Sequence, residues 1–125
     1  MSANHGPHAL EKSLFMAVAA AILLLSGCQE KTTSKPLNEL TVQEAAGQQV
    51  FARQCAACHY PNTTQGLYGP GLEGMFHKPY LPSGAAANDA RVTSVIVRGR
   101  GMMPALGNAL TDQELGDLMA YLHTL

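Results

Sequence analysis

Three segments of the chain carry helical signatures, and turn-rich stretches separate them. Thr41-Val42-Gln43-Glu44 sets a hydroxyl at an N-cap and a carboxylate three residues on, the pattern of a capping box. It predicts a helix running to about Cys55, with Val42, Ala46, Val50 and Phe51 turned inward. Asn88 and Asp89 can cap a second helix in which Val92, Val95 and Ile96 share a face, with Gly99 as its stop. Thr111-Asp112-Gln113-Glu114 is a second capping box, flanked by Leu110 and Leu115 at the spacing of a hydrophobic staple. Leu115, Leu118, Met119 and Leu122 continue it as an i, i+3, i+4, i+7 stripe. No segment alternates with period two over four or more residues, so an all-α fold without a significant sheet is expected.

Between the first two helices lies Tyr60 to Ala87, rich in glycine and proline yet also holding Leu67, Tyr68, Leu72, Met75, Phe76, Tyr80 and Leu81. Structureless loops of this length are rare in compact domains, and this one is too apolar for a free linker. Its composition suits chain that wraps an apolar body that is not protein. A domain this small buries only about 60–65% of its surface, so an internal apolar cofactor would add to its stability.

Upstream, Leu14 to Leu25 is an uncharged apolar run after Lys12. At twelve residues it is short of the about 20 that cross a bilayer, and it reads as the core of a secretion signal. It ends in Leu25-Ser26-Gly27-Cys28, which resembles a bacterial lipoprotein box and implies a lipidated Cys28 as the first mature residue. The expected organisation is therefore a signal over residues 1–27, a lipidated cysteine and solvated tether over 28–40, and one domain over 41–125. Gln29 to Leu40 is polar almost throughout, as a tether requires.

A net charge of −1 removes the basic surface of a nucleic-acid binder, and three cysteines are too few and too odd for a disulfide scaffold. With Cys28 set aside as alkylated, the other two fall in Cys55-Ala56-Ala57-Cys58-His59. C-x-x-C-H is the attachment signature of covalent c-type haem. Two thiols three residues apart at a helix end can each form a thioether to a haem vinyl group, and the next residue brings an imidazole to the iron. A redox-active C-x-x-C pair would want a strand before it and a helix after it, whereas here the helix comes first. A zinc site would need two more ligands, with only His77 and His123 to supply them.

For the second axial ligand, Met1 and Met16 leave with the signal, Met119 belongs to the last apolar stripe, and Met75 sits in the wrapping loop. Met102 and Met103 remain, ahead of Pro104. The residue before proline is pushed to an extended backbone, where neighbouring side chains diverge, so one of the two can face iron.

From about Thr41 to Leu125 the chain resembles the class I (mitochondrial-type) bacterial monohaem cytochromes c. Gly47-Gln48-Gln49-Val50-Phe51 before the C-x-x-C-H segment is similar to the family's first helix, and Leu118-Met119-Ala120-Tyr121-Leu122 to its terminal one. Gly69-Pro70-Gly71-Leu72 is similar to the loop whose proline carbonyl accepts a hydrogen bond from the ligand histidine. Met103-Pro104-Ala105 is similar to the methionine loop. The resemblance implies three to five short helices and turn-rich loops wrapped around one covalent haem c, held by Cys55 and Cys58. It implies His59 and Met103 as axial ligands, with Tyr68, Pro70, Leu72 and Phe76 around the haem. Gly47 would let the first and last helices cross closely. No tryptophan is present, which leaves Tyr68, Tyr80, Arg98 and Arg100 as possible partners of the haem propionates.

The resemblance further implies a one-electron carrier rather than an enzyme, lipid-anchored and facing the periplasm, serving membrane-associated redox proteins with no small-molecule substrate. Membership of a larger oxidoreductase complex is one alternative. A peroxidase or gas-binding protein whose methionine leaves the iron is another.

Overall fold

The computed structural model describes residues 34–125. The signal expected over residues 1–27 and the lipidation expected at Cys28 lie outside them. The described chain forms helices α1 (Val42–Gln54), α2 (Asp89–Arg98) and α3 (Asp112–Leu122), with 3-10 turns at Leu37–Glu39 and Met75–His77. Only two isolated bridges, Tyr80 with Ala86 and Arg100 with Met103, have strand-like pairing, so among the described residues there is no sheet.

Each helix begins where its local chemistry satisfies the first free N–H groups. The side chains of Thr41 and Thr111 accept from the N–H groups of Glu44 and Glu114, whose carboxylates accept from the cap N–H at 2.6 and 3.0 Å. The Asn88 side chain accepts from the Arg91 N–H at 3.0 Å. These bonds hold both glutamates below the ordinary carboxylate range, with Lys35 the main cause at Glu44 and the Thr111 N–H at Glu114.

The core is the crossing of α1 over α3. Val50 and Phe51 from one helix meet Leu118, Tyr121 and Leu122 from the other, and Val92 and Ile96 of α2 complete the buried cluster with Leu125. Phe51 and Tyr121 pack with tilted rings, centroids 5.5 Å apart. The closest approach is at Gly47, where an added Cβ would run into the Asp117 carbonyl. A rim ion pair, Arg53 to Glu114 at 3.1 Å, ties the same two helices.

Two expectations are corrected by this geometry. Val42, expected inside, is 90% exposed, because the first turn of α1 projects beyond the crossing centred on Gly47. Residues 34–40, expected as solvated tether, lie on the domain. The Lys35 N–H donates to the Thr124 carbonyl at 2.7 Å, the Lys35 ammonium pairs with Glu44 at 2.7 Å, and Leu40 packs against the core. Polar composition did not betray this docking because the partners are a distant backbone carbonyl and a capping carboxylate.

Gly47→Ala tests the crossing. In an exposed helix this change gains about 1 kcal/mol of helix propensity, whereas overpacking typically costs about 1–3 kcal/mol and sometimes more. Because the clash is with backbone, the net effect is a loss of stability by about 1–2 kcal/mol in denaturant unfolding of the haem-loaded protein. A gain in midpoint would mean that the helices do not approach this closely.

Candidate functional site

The segment Cys55–His59 turns directly off the end of α1. The N–H groups of Cys55 and Ala56 donate to the Phe51 carbonyl, and those of Cys58 and His59 donate to the Cys55 carbonyl. The helix thus ends in a tight turn that presents both thiols and the imidazole together. Cys55 and Cys58 are free thiols, Cys58 exposed and Cys55 partly buried. Burial, with a smaller contribution from Cys58, pushes the Cys55 thiol up to about 11. Among the described residues no three His, Cys, Asp or Glu side chains converge as a metal centre, so these cysteines lack zinc-type partners.

His59 is oriented from the loop that follows. Its Nδ1 lies 2.8 Å from the Pro70 carbonyl oxygen, and since a carbonyl only accepts, Nδ1 carries the proton. Nε2 is then the nitrogen left with a lone pair for a metal. Gly69 backs the ring so closely that a Cβ there would overlap the imidazole. The loop is itself pinned by Gly69 N–H to Cys58 O at 2.9 Å and Leu72 N–H to Tyr60 O at 2.9 Å.

The thiols and the imidazole line a cavity of ≈ 800 Å³, at the upper end of cofactor-sized sites. Its wall draws on every part of the fold. Phe51, Leu118 and Leu122 come from the α1–α3 core, Val92, Val95 and Ile96 from α2, and Tyr68, Pro70, Leu72 and Met75 from the long loop. The segment His77–Ala87, which matches no motif, contributes Lys78 and the run from Tyr80 to Ser83. There Tyr80 bridges Ala86, and the Leu81 N–H donates to the Ala85 carbonyl at 2.8 Å, closing a small loop around Pro82-Ser83-Gly84. That turn triplet was its signal in the sequence.

Met102 and Met103 both reach the cavity. Arg100 and Met103 exchange N–H···O=C bonds of 3.0 Å in both directions, with Gly101 at φ 58° inside the turn. Met102 at the tip is 88% exposed, whereas Met103 packs against the core. The chain beyond is tied back to α2, with Leu106 N–H to Ile96 O at 2.9 Å and Gly107 N–H to Val97 O at 3.1 Å. The methionine loop therefore satisfies the last carbonyls of the helix it follows.

Phe76, expected around the haem, is corrected. It does not line the cavity; its ring stacks on His123 with centroids 3.9 Å apart, and His123 Nε2 lies 2.9 Å from Asp89 Oδ1. The 3-10 turn at Met75–His77 sends Met75 toward the cavity and its neighbour toward the end of α3. His77 is exposed and His123 is engaged in this stack, so neither joins the cavity wall. Two thiols, an oriented imidazole, a core-held thioether and an otherwise largely apolar wall fit a covalent haem.

A family model described as cytochrome c matches residues 44–125. A cytochrome c6 from Picosynechococcus sp. is 35% identical over 81 residues, covering 62% of this chain and 69% of that protein. The CcoP subunit of a cbb3-type cytochrome c oxidase from Azospirillum sp. is 32% identical over 84 residues, 65% of this chain but only 28% of the subunit. The solved structure of cytochrome c6 from the diatom Phaeodactylum tricornutum aligns with a TM-score of 0.51 at 28% identity, covering 63% of this chain and 88% of that one.

Gly69→Ala should displace the His59 ring and break its bond to Pro70, lowering the yield of haem-loaded protein and perturbing its axial-ligand spectrum. Gly116→Ala is the control, since a Cβ there meets nothing within 4 Å. Equal spectra and yields for the two variants would show that Gly69 does not constrain the imidazole.

Proposed function

The chain belongs to the cytochrome c family, electron-transfer proteins that carry covalent haem c, and on that premise we propose a lipid-anchored, periplasm-facing one-electron carrier between respiratory or dehydrogenase partners. The observation that carries the site assignment is the convergence of Cys55, Cys58, His59 and Met103 on one cavity. The bound haem supplies ferrous–ferric cycling, and the chain does the rest. Cys55 and Cys58 hold the group covalently. The Pro70 carbonyl fixes the His59 tautomer and makes its Nε2 a better donor. Met103 supplies a soft thioether, which favours the reduced state, and the apolar wall keeps water away. If His59 and Met103 both held the iron, no coordination site would remain for a substrate, which would argue against a peroxidase or a gas-binding protein.

The anchored, envelope-facing part of this reading rests on the sequence Leu25-Ser26-Gly27-Cys28 after an apolar run. Among the described residues no helix is long and apolar enough to cross a membrane. With residues 34–40 docked on the domain, five residues separate Cys28 from it, a span of at most about 22 Å fully extended. That is short enough to keep the haem near the surface that holds the lipid.

The match to part of CcoP favours a second reading, a cytochrome subunit of a larger oxidoreductase. A free carrier purifies from a membrane extract as a lone domain, whereas a subunit brings its complex with it.

Met103→Ala should remove the sulfur-to-iron charge-transfer band of the oxidised protein and lower the potential, while Met102→Ala keeps both. The opposite pattern would move the ligand to Met102, and a five-coordinate high-spin wild type would remove the carrier reading itself.

A Cys28→Ser protein exported by a cleavable signal should be soluble with an unchanged haem spectrum, and should lose turnover with membrane partners at native expression. Undiminished electron flux from the soluble form would show that the anchor does not serve localisation.

A further inference from the structure

The charges around the cavity are one-sided. Its wall includes Lys78 and Arg100 but no aspartate or glutamate, although the whole chain is at −1. Both residues are exposed, so the charge that the cavity wall offers to a bound group's polar substituents is positive alone. The two propionate carboxylates of haem are anions that such cations suit.

The two cations are not equivalent. The Lys78 ammonium already donates to the Glu73 carbonyl at 3.0 Å. Arg100 makes no ion pair among the described residues, where the cations paired with carboxylates are Lys35, Arg53 and His123. Arg98, two residues earlier in the last turn of α2, is exposed as Arg100 is, but it does not line the cavity. Arg100 is also firmly placed at the backbone. Its backbone exchanges two hydrogen bonds with Met103, and Gly99 behind it is so close to Met103 and Ala105 that a Cβ would lie 2.7 and 2.8 Å from their backbone atoms.

We propose that Arg100 is the cation that receives a haem propionate, so that one turn holds both the carboxylate contact and the Met103 sulfur. This deepens the haem-binding reading above and rests on it. A guanidinium matches a carboxylate with two parallel N–H donors, which a lysine cannot do, so the residue type suits the role. The turn then acts as a positioning device. The carboxylate locates the turn, and the turn locates the thioether. Removing the guanidinium leaves a negative charge near the iron without its partner, since the other wall cation, Lys78, is engaged with the Glu73 carbonyl. That favours ferric iron and lowers the potential.

The test uses the haem-loaded full chain with haem isotopically labelled at the propionate carboxyl carbons. Reduction potentials and ferric-minus-ferrous infrared difference spectra are compared for the wild type, Arg100→Gln, Arg100→Lys and Arg98→Gln. Arg100→Gln should lower the potential and shift the labelled carboxylate bands. Arg100→Lys should restore most of the potential while leaving the bands intermediate, and Arg98→Gln, which loses the same formal charge, should leave both near wild type. Equal shifts in potential for Arg98→Gln and Arg100→Gln, or labelled bands unmoved in Arg100→Gln, would overturn the assignment. If Arg100→Gln does not accumulate, unmoved bands in Arg100→Lys overturn it equally. A wild-type chain that binds no haem would instead sink the haem reading, so the two failures are distinct.

Discussion

The close crossing of α1 and α3 is the contact on which the rest of the molecule depends. Gly47 lets the two backbones meet at Asp117, and that approach brings Val50 and Phe51 within reach of Leu118, Tyr121 and Leu122. The cavity floor is made by the same side chains, since Phe51, Leu118 and Leu122 face it. The turn that bears Cys55, Cys58 and His59 is the direct continuation of α1. A shift at the crossing would therefore move the attachment site against its own cavity. Close packing leaves little room to absorb such a shift.

Around this frame the chain relies on backbone hydrogen bonds rather than on secondary structure. The stretch from Tyr60 to Ala87 contains a single 3-10 turn, yet its N–H groups find partners at Cys58, Tyr60, Thr63, Pro79 and Leu125. Gly74 N–H to Leu125 O and Lys35 N–H to Thr124 O tie both the loop and the docked segment 34–40 to the last two residues. A loop satisfied in this way can be ordered and apolar at once, as the lining of a cofactor site must be.

The methionine loop shows how one short segment serves two ends. Its N–H groups at Leu106 and Gly107 satisfy carbonyls of α2, which anchors the segment to the core through Val92 and Ile96. The Arg100–Met103 exchange then fixes a cation and a thioether on the same turn. The positions of Arg100 and Met103 are thereby subject to one local geometry.

Spacing along the chain determined whatever depends on neighbours within one or two turns. Both capping boxes, the Asn88 cap, the stop at Gly99 and the grouping of Cys55, Cys58 and His59 were legible because their partners lie within a few residues. The role of Gly47 and the loop at Pro70 were legible through family resemblance, and the structure gives them the contacts that resemblance implied. Tertiary structure alone decided what depends on distant partners. Val42 lies outside because the crossing is centred a turn and a half further on, and Phe76 faces His123 rather than the cavity. Lys35 docks on Thr124 across most of the described chain. The choice of Arg100 over Arg98 as the cavity cation turned on a tight turn closed by two backbone hydrogen bonds. Periodicity tells which residues share a face, but only the packed fold sets what that face meets.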